Sequence, residues 1–339
     1  MSAISADAPG KIILFGEHAV VYGRPAIAVP VLQVRAHVEV YARPQALAGE
    51  VHLQAPDVDL DAWLADLPGD QPLARVVREV LQDLSLSKCP ACNIHITSTI
   101  PVASGLGSGA AVSVAVIRAL SAFLGNPLPD EKVSAIAFEV EKLYHGMPSG
   151  IDNNVITYAR PVFFVRGYPI ESLRLPRPFT IVIGDTGVSS PTSLAVGDVR
   201  RLWQIDPARY EGVFDQIGRI AQLARKSIEN GEPEHLGTLM NENQVHLRYI
   251  GVSSPELESL IEVAMAAGAL GAKLSGAGRG GNMIALAEPE KANEVARALE
   301  EAGAVRTIVT VVGSKGNEEM GRLGDKEIRG LEGKKKEGR

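Results

Sequence analysis

The chain has 339 residues, 45% apolar and 22% charged, a composition that supports a packed core and about two domains and excludes wholesale disorder. Its formal net charge of −6 is spread through the body, which argues against nucleic-acid binding but not against a phosphate ligand, held locally by backbone N–H groups. No signal-peptide pattern opens the chain, no apolar run approaches the roughly 20 residues of a membrane helix, and cysteines are few, so a soluble cytoplasmic protein is expected.

In chain order, Ile12–Phe15 is an apolar run closed by Gly16, which predicts a buried strand. From Leu32 to Val40 the alternation is clean. Leu32, Val34, Ala36, Val38 and Val40 face one way and Gln33, Arg35, His37 and Glu39 the other, as in a half-buried strand. His37 is thereby a solvent-side residue. The only cysteines, Cys89 and Cys92, form a lone C-x-x-C ahead of a strand, with no second pair to complete a zinc site, and read as incidental thiols. A second alternating run, Ile94–Ile100, leads into a glycine-rich segment. Ala110–Leu124 is apolar nearly all round and ends at Gly125, predicting a buried helix. Another helix starts at Pro129-Asp130, with Val133, Ile136, Ala137, Val140 and Tyr144 as its inward stripe. Short strands follow at Val162–Val165 and Ile181–Ile183.

The second half opens with helical patterns over Tyr210–Glu229 and Glu234–Leu247. A third begins at Ser254-Pro255, an N-cap serine followed by proline at the first helical position. Strands near Ala272–Leu274 and Met283–Leu286 flank a glycine cluster; a helix over Pro289–Ala302 and a strand over Val305–Val312 complete the pattern. Strands and helices after a helical stretch predict an α+β domain. The expected domains are 6–175 and 176–313, followed by a disordered polar tail, 314–339, rich in Gly, Lys and Glu.

The chemistry concentrates in four segments. Pro101-Val102-Ala103-Ser104-Gly105-Leu106-Gly107-Ser108-Gly109-Ala110 lies between a predicted strand and a buried helix. Glycines let backbone approach an anion, and the helix start offers unpaired N–H groups with a partial positive charge of about half a unit. By itself such a loop is either a phosphate cradle or a structural turn. Three further segments accompany it: Ala8 to Gly23, containing Pro9-Gly10-Lys11 and Gly16-Glu17-His18; Glu141 to Asn153; and Ser275-Gly276-Ala277-Gly278-Arg279-Gly280-Gly281.

Together these segments resemble the signatures of the GHMP kinases, from about residue 6 to residue 313, and the segment Ala8 to Gly23 fits the mevalonate-kinase pattern P-G-K-[IV]-I-L-x-G-E-H-A-V-V-[YH]-G throughout. The resemblance implies a two-domain GHMP kinase fold: an N-terminal nucleotide-binding α/β domain and a C-terminal ferredoxin-like α+β domain. It implies ATP as donor, Mg²⁺ as cofactor, the 5-hydroxyl of mevalonate as acceptor and a homodimer, with no nucleic acid or membrane as partner. Asp152 would be the base and Lys11 its cationic neighbour. Pro101, Ser104, Gly105, Leu106, Gly107, Ser108, Gly109 and Ala110 would hold the nucleotide. Glu141 and Ser108 would hold the metal, and Glu17, His18, Ser149 and Gly276 would line the substrate side, His18 as a hydrogen-bond donor. One departure stands out: Gly109 occupies a position where the family commonly has a second, metal-assisting serine. Another GHMP acceptor, or a nucleotide sensor on the same fold, remains an alternative.

Overall fold

Strand β1 (Ile4–Phe15) runs antiparallel along one edge of the long β2 (Ala26–Ala42). The other edge of β2 is shared. β5 (Cys92–Ser98) pairs with its end and β6 (Val162–Phe164) with its start. β3 (Val51–Ala55) joins β5 in parallel, β4 (Leu60–Trp63) borders β3, and β7 (Glu171–Ser172) borders β6. The computed structural model describes residues 3–101, 104–145, 148–189 and 191–313; the tail expected at 314–339 lies outside the described residues.

β1 begins eight residues earlier than the apolar run predicted. Its first half is only partly buried, and a register shift between Pro9 and Gly10 divides it from the buried second half. The alternation of β2 is as expected, with Val34, Ala36, Val38 and Val40 buried and Gln33 and Arg35 exposed.

Four helices cover this sheet: α1 (Pro72–Asp83), α2 (Ser108–Phe123), α3 (Asp130–His145) and α4 (Ile151–Tyr158). α2 is apolar all round because β1 and β2 pack on one side of it and α1, α3 and α4 on the others. α4, which carries Asp152, was not among the predicted elements. Ile151, Val155 and Ile156 supply the buried stripe that makes the segment helical.

The second sheet has the order β11 (Arg306–Val312), β8 (Phe179–Asp185), β10 (Asn282–Ala287), β9 (Gly271–Ser275), each neighbour antiparallel. Counted in chain order this is fourth, first, third, second, the arrangement of a ferredoxin-like sheet. Helices α5 (Thr192–Ile205), α6 (Pro207–Asn230), α7 (His235–Tyr249) and α8 (Pro255–Ala266) lie between β8 and β9, and α9 (Ala292–Glu301) joins β10 to β11. Ser254 caps α8, its hydroxyl accepting from the Leu257 N–H at 3.4 Å.

The last strand of the first sheet ends at Ser172 and the first of the second begins at Phe179, but the apolar interior does not break there. Ile181, Ile183, Ile284 and Ile308 join the same core as Val29, Val38 and Leu120, while Val182 belongs to a second core with Phe214, Leu274 and Leu299. The period of two in β8 thus serves one core on each face.

Candidate active site

A cleft of about 890 Å³ runs between the start of α2, the first turn of α4, the N-terminal part of α5 and the turn joining β9 to β10. The loop before α2 is shaped by two left-handed glycines, Gly105 (φ 84°) and Gly107 (φ 79°), the latter capping α2. Pro101, Ser104, Gly105, Gly107, Ser108, Gly109 and Ala110 all line the cleft. Leu106 does not. Its side chain is buried in the core, and its carbonyl accepts from the Lys11 N–H at 2.9 Å, fastening the loop to β1. A second fastening comes from β10, where Asn282 Nδ2 donates to the Ser104 carbonyl at 2.5 Å.

Lys11 Nζ and Asp152 Oδ2 are 3.1 Å apart, with Lys11 almost wholly buried and Asp152 partly open to the cleft. Residues 141 positions apart in sequence are brought together because β1 and α4 both pack against α2. Asp152 sits in the first turn of α4, where unpaired N–H groups favour negative charge. The Lys11 stem passes over Gly107. A Cβ there would lie 3.0 Å from Lys11 Cγ and 2.9 Å from Ile156 Cδ1, so the glycine makes room for the lysine.

Glu141, on α3, lines the same cleft at 3% exposure. Desolvation raises its pKa well above the usual carboxylate range, the Asp152 charge raises it further, and Lys11 opposes both. Among the described residues it makes no hydrogen bond or ion pair. Ser149 lines the cleft, its hydroxyl accepting from the Ile151 N–H at 3.3 Å, and Gly276 (φ 96°) lies open to it. The side chains of Tyr144 and His145 are outside the described residues.

Glu17 is placed differently from the expectation. It does not line the cleft but is fully buried in an ion pair with Lys273, and Asn243 Nδ2 donates to its other oxygen at 3.1 Å. A carboxylate whose oxygens are so engaged away from the cleft has nothing to offer a substrate. His18 does line the cleft. Its Nε2 lies 2.9 Å from the Ala277 carbonyl, which can only accept, so that nitrogen carries the proton. Burial, aided by the Arg279 charge, lowers its pKa to about 4 despite that hydrogen bond. His18 is therefore neutral near pH 7, and its one N–H is already committed, which removes the donor role expected of it.

Three residues that the sequence did not single out complete the site's frame. Arg200 of α5 is, with Lys11, one of two lysine or arginine side chains lining the cleft among the described residues. Lys273 ties the second sheet to the corner after β1, and Asn282 ties it to the loop before α2. Lys273 sits between Ala272 and Leu274, and strand alternation gives no signal that it is fully buried. Cys89 and Cys92 are buried with their sulfurs 4.0 Å apart, and neither lines the cleft.

Along most of its length the chain is similar to known proteins. Residues 72–160 match the family model for the GHMP kinases N terminal domain and residues 224–305 that for the GHMP kinases C terminal. Mevalonate kinase of Thermococcus sibiricus is 38% identical over 331 residues, covering 92% of this chain and 97% of the relative. That of Aeropyrum pernix is 35% identical over 307 residues, covering 88% and 92%. The crystal structure of L. major mevalonate kinase in complex with R-mevalonate matches with a TM-score of 0.77 at 30% identity, covering 92% of this chain and 96% of that one. Lactococcus lactis galactokinase, at 18% identity and a TM-score of 0.72, shares the fold.

Proposed function

Because the chain belongs to the GHMP kinase family and is 35–38% identical over nearly its whole length to mevalonate kinases, we propose that it transfers the γ-phosphoryl group of ATP to the 5-hydroxyl of mevalonate, giving 5-phosphomevalonate and ADP. The observation that carries this reading is the Lys11–Asp152 pair in one cleft with the glycine-lined start of α2.

In this reading the triphosphate lies against the N–H groups of the Gly105–Ser108 turn and the start of α2. Asp152 accepts the proton of the acceptor hydroxyl as the new P–O bond forms. Lys11, held to Asp152 and threaded over Gly107, keeps the carboxylate aimed and places a positive charge beside the transferred group. The residues present fit a magnesium ion. Glu141 is a buried carboxylate with no partner among the described residues, and a cation is what allows such a group to ionise. Glu141 and Ser108 would hold the ion, which would supply positive charge against the transferred phosphate. Among the described residues no cluster of three or more His, Cys, Asp or Glu exists, which suits an ion held mainly by phosphate and water.

On the acceptor side Lys11 is engaged with Asp152, so Arg200 is the cation for the substrate carboxylate. Ser149, Gly276 and the His18 ring form the rest of that wall, and Glu17 takes no direct part. A cytoplasmic homodimer belongs to the same reading, on family likeness; among the described residues no helix is long and apolar enough to cross a membrane. A coupled ADP-release assay across mevalonate, phosphomevalonate, galactose and homoserine tests the proposal. Turnover with mevalonate alone is expected, and none with mevalonate refutes it.

A further inference from the structure

Glu17 and Lys273 are both fully buried, and the reaction uses neither. Burying two charges is costly unless each is matched by a partner and by further hydrogen bonds. Here the matching is nearly complete. Lys273 Nζ also donates to the Leu274 carbonyl at 2.6 Å, and Asn243, from α7, donates to Glu17. Lys273 and Ser275 lie two apart on β9 and so share a face. Ser275 Oγ accepts from the Ile13 N–H at 3.1 Å and donates to the Ile13 carbonyl at 2.9 Å. Ala277, in the turn that follows, accepts from His18. Successive positions of one segment therefore grip Glu17, Ile13 and His18, which all lie on β1 or on the corner that follows it.

That corner is strained. His18 has φ 60° and ψ −49°, a conformation rare outside glycine that persists only when surrounding contacts impose it. Gly16 (φ 97°) contributes by lacking a Cβ, which would lie 2.5 Å from Ala26. Within the corner the His18 carbonyl accepts from the Val21 N–H at 3.0 Å; from outside it, His18 is held by the Ala277 carbonyl and, through the preceding residue, by Lys273.

We propose that Glu17, Lys273 and Asn243 form a positioning clamp that holds the strained His18 corner against the β9–β10 turn and so sets the acceptor wall of the cleft. None of the three touches substrate. Their effect on the reaction passes through His18, and the kinetic part of the inference rests on the phosphotransfer reading above.

The test compares wild type with two variants, Glu17→Gln/Lys273→Met and Asn243→Leu. The first removes both charges while its amide oxygen can still accept from Asn243; the second is the milder change and decides the matter if the first does not fold. In each, the KM for mevalonate should rise, by about tenfold in the double variant, because a misplaced wall weakens acceptor positioning. The KM for ATP should stay within about twofold, since uniform binding of the nucleotide is untouched. Acceptor and ATP KM values that both stay at wild type, or that rise together, overturn the clamp as a positioning device. A second readout needs no substrate: the His18 Nε2–H proton resonance, protected by Ala277 in the wild type, should broaden or vanish in both variants. Its survival unchanged also overturns the clamp. Failure of the wild type to phosphorylate mevalonate refutes the acceptor assignment instead, and this resonance then decides the clamp by itself.

Discussion

Gly107→Ala separates two costs that usually arrive together. Its left-handed backbone (φ 79°) penalises any L-residue by about 1–2 kcal/mol. Gly105 has nearly the same φ, 84°, so Gly105→Ala bears the same penalty. The two sites differ in what a new methyl meets. At Gly105 the nearest atom is Asn282 Nδ2, at 3.9 Å, an ordinary contact. At Gly107 the methyl meets Ile156 Cδ1 at 2.9 Å and Lys11 at 3.0 Å (Cγ) and 3.2 Å (Cε), so the lysine stem must shift by several tenths of an ångström. Misplacement of a catalytic group by about 1 Å costs on the order of a hundredfold in rate. Both variants should lose about 1–2 kcal/mol in chemical denaturation. Only Gly107→Ala should also lose kcat, by about one to two orders of magnitude at saturating ATP, as displacement of Lys11 spoils its pairing with Asp152. Equal kcat values in the two variants, measured by ADP release, would refute the argument that Gly107 exists to let Lys11 pass.

Asp152→Asn should lower kcat by about 10²–10⁴, the usual worth of a general base, while ATP binding measured by calorimetry is retained. The buried, neutral His18 gives a signed pH dependence. Its pKa is held at about 4, below the 6.5 of an open chain, so the stability it contributes is present above 6.5 and lost as pH falls towards 4, by about 3 kcal/mol in all. Chemical denaturation between pH 7 and pH 4 should show this loss, and His18→Gln, whose amide can still donate to Ala277, should lack it; equal slopes would absolve His18. Gly109→Ser places a hydroxyl in the first turn of α2, in the cleft wall, and should lower the Mg²⁺ concentration for half-maximal rate, read from a magnesium titration of initial velocity.

What the sequence displayed was local. The period of two in Leu32–Val40, the all-round apolarity of Ala110–Leu124 and the Ser254-Pro255 cap each depend on near neighbours, and each element is where the pattern put it. The cleft-lining glycines were visible for the same reason, since a run of glycines between strand and helix is a local statement about backbone. Partners were not visible. Alternation gives Lys273 no distinction from any strand lysine, and the motif around Glu17 fixes its identity without saying which way the carboxylate turns. Glu17 turns inward because a buried ammonium and an amide wait there, supplied by elements more than 200 residues away. Helix α4 escaped notice because its 8 residues are too few for periodicity to speak. Arg200 escaped because α5 was not foreseen.

The charges behind the cleft carry a further consequence. Buried ionised groups persist when paired or bound to a metal. Lys11 is matched by Asp152, and Glu17 by Lys273. Glu141, also buried, has no hydrogen bond or ion pair among the described residues, and its proton affinity rises accordingly. Glu17 and Glu141 thus share a carboxyl group and burial but differ in what faces them, and that difference separates them. The first is neutralised by the chain and stays with the scaffold. The second faces the cleft with only the Lys11 charge opposing its proton affinity among the described residues, so in the proposed reading a cation entering the cleft would complete its neutralisation, and with no hydroxyl at Gly109 that carboxylate would be the principal protein ligand.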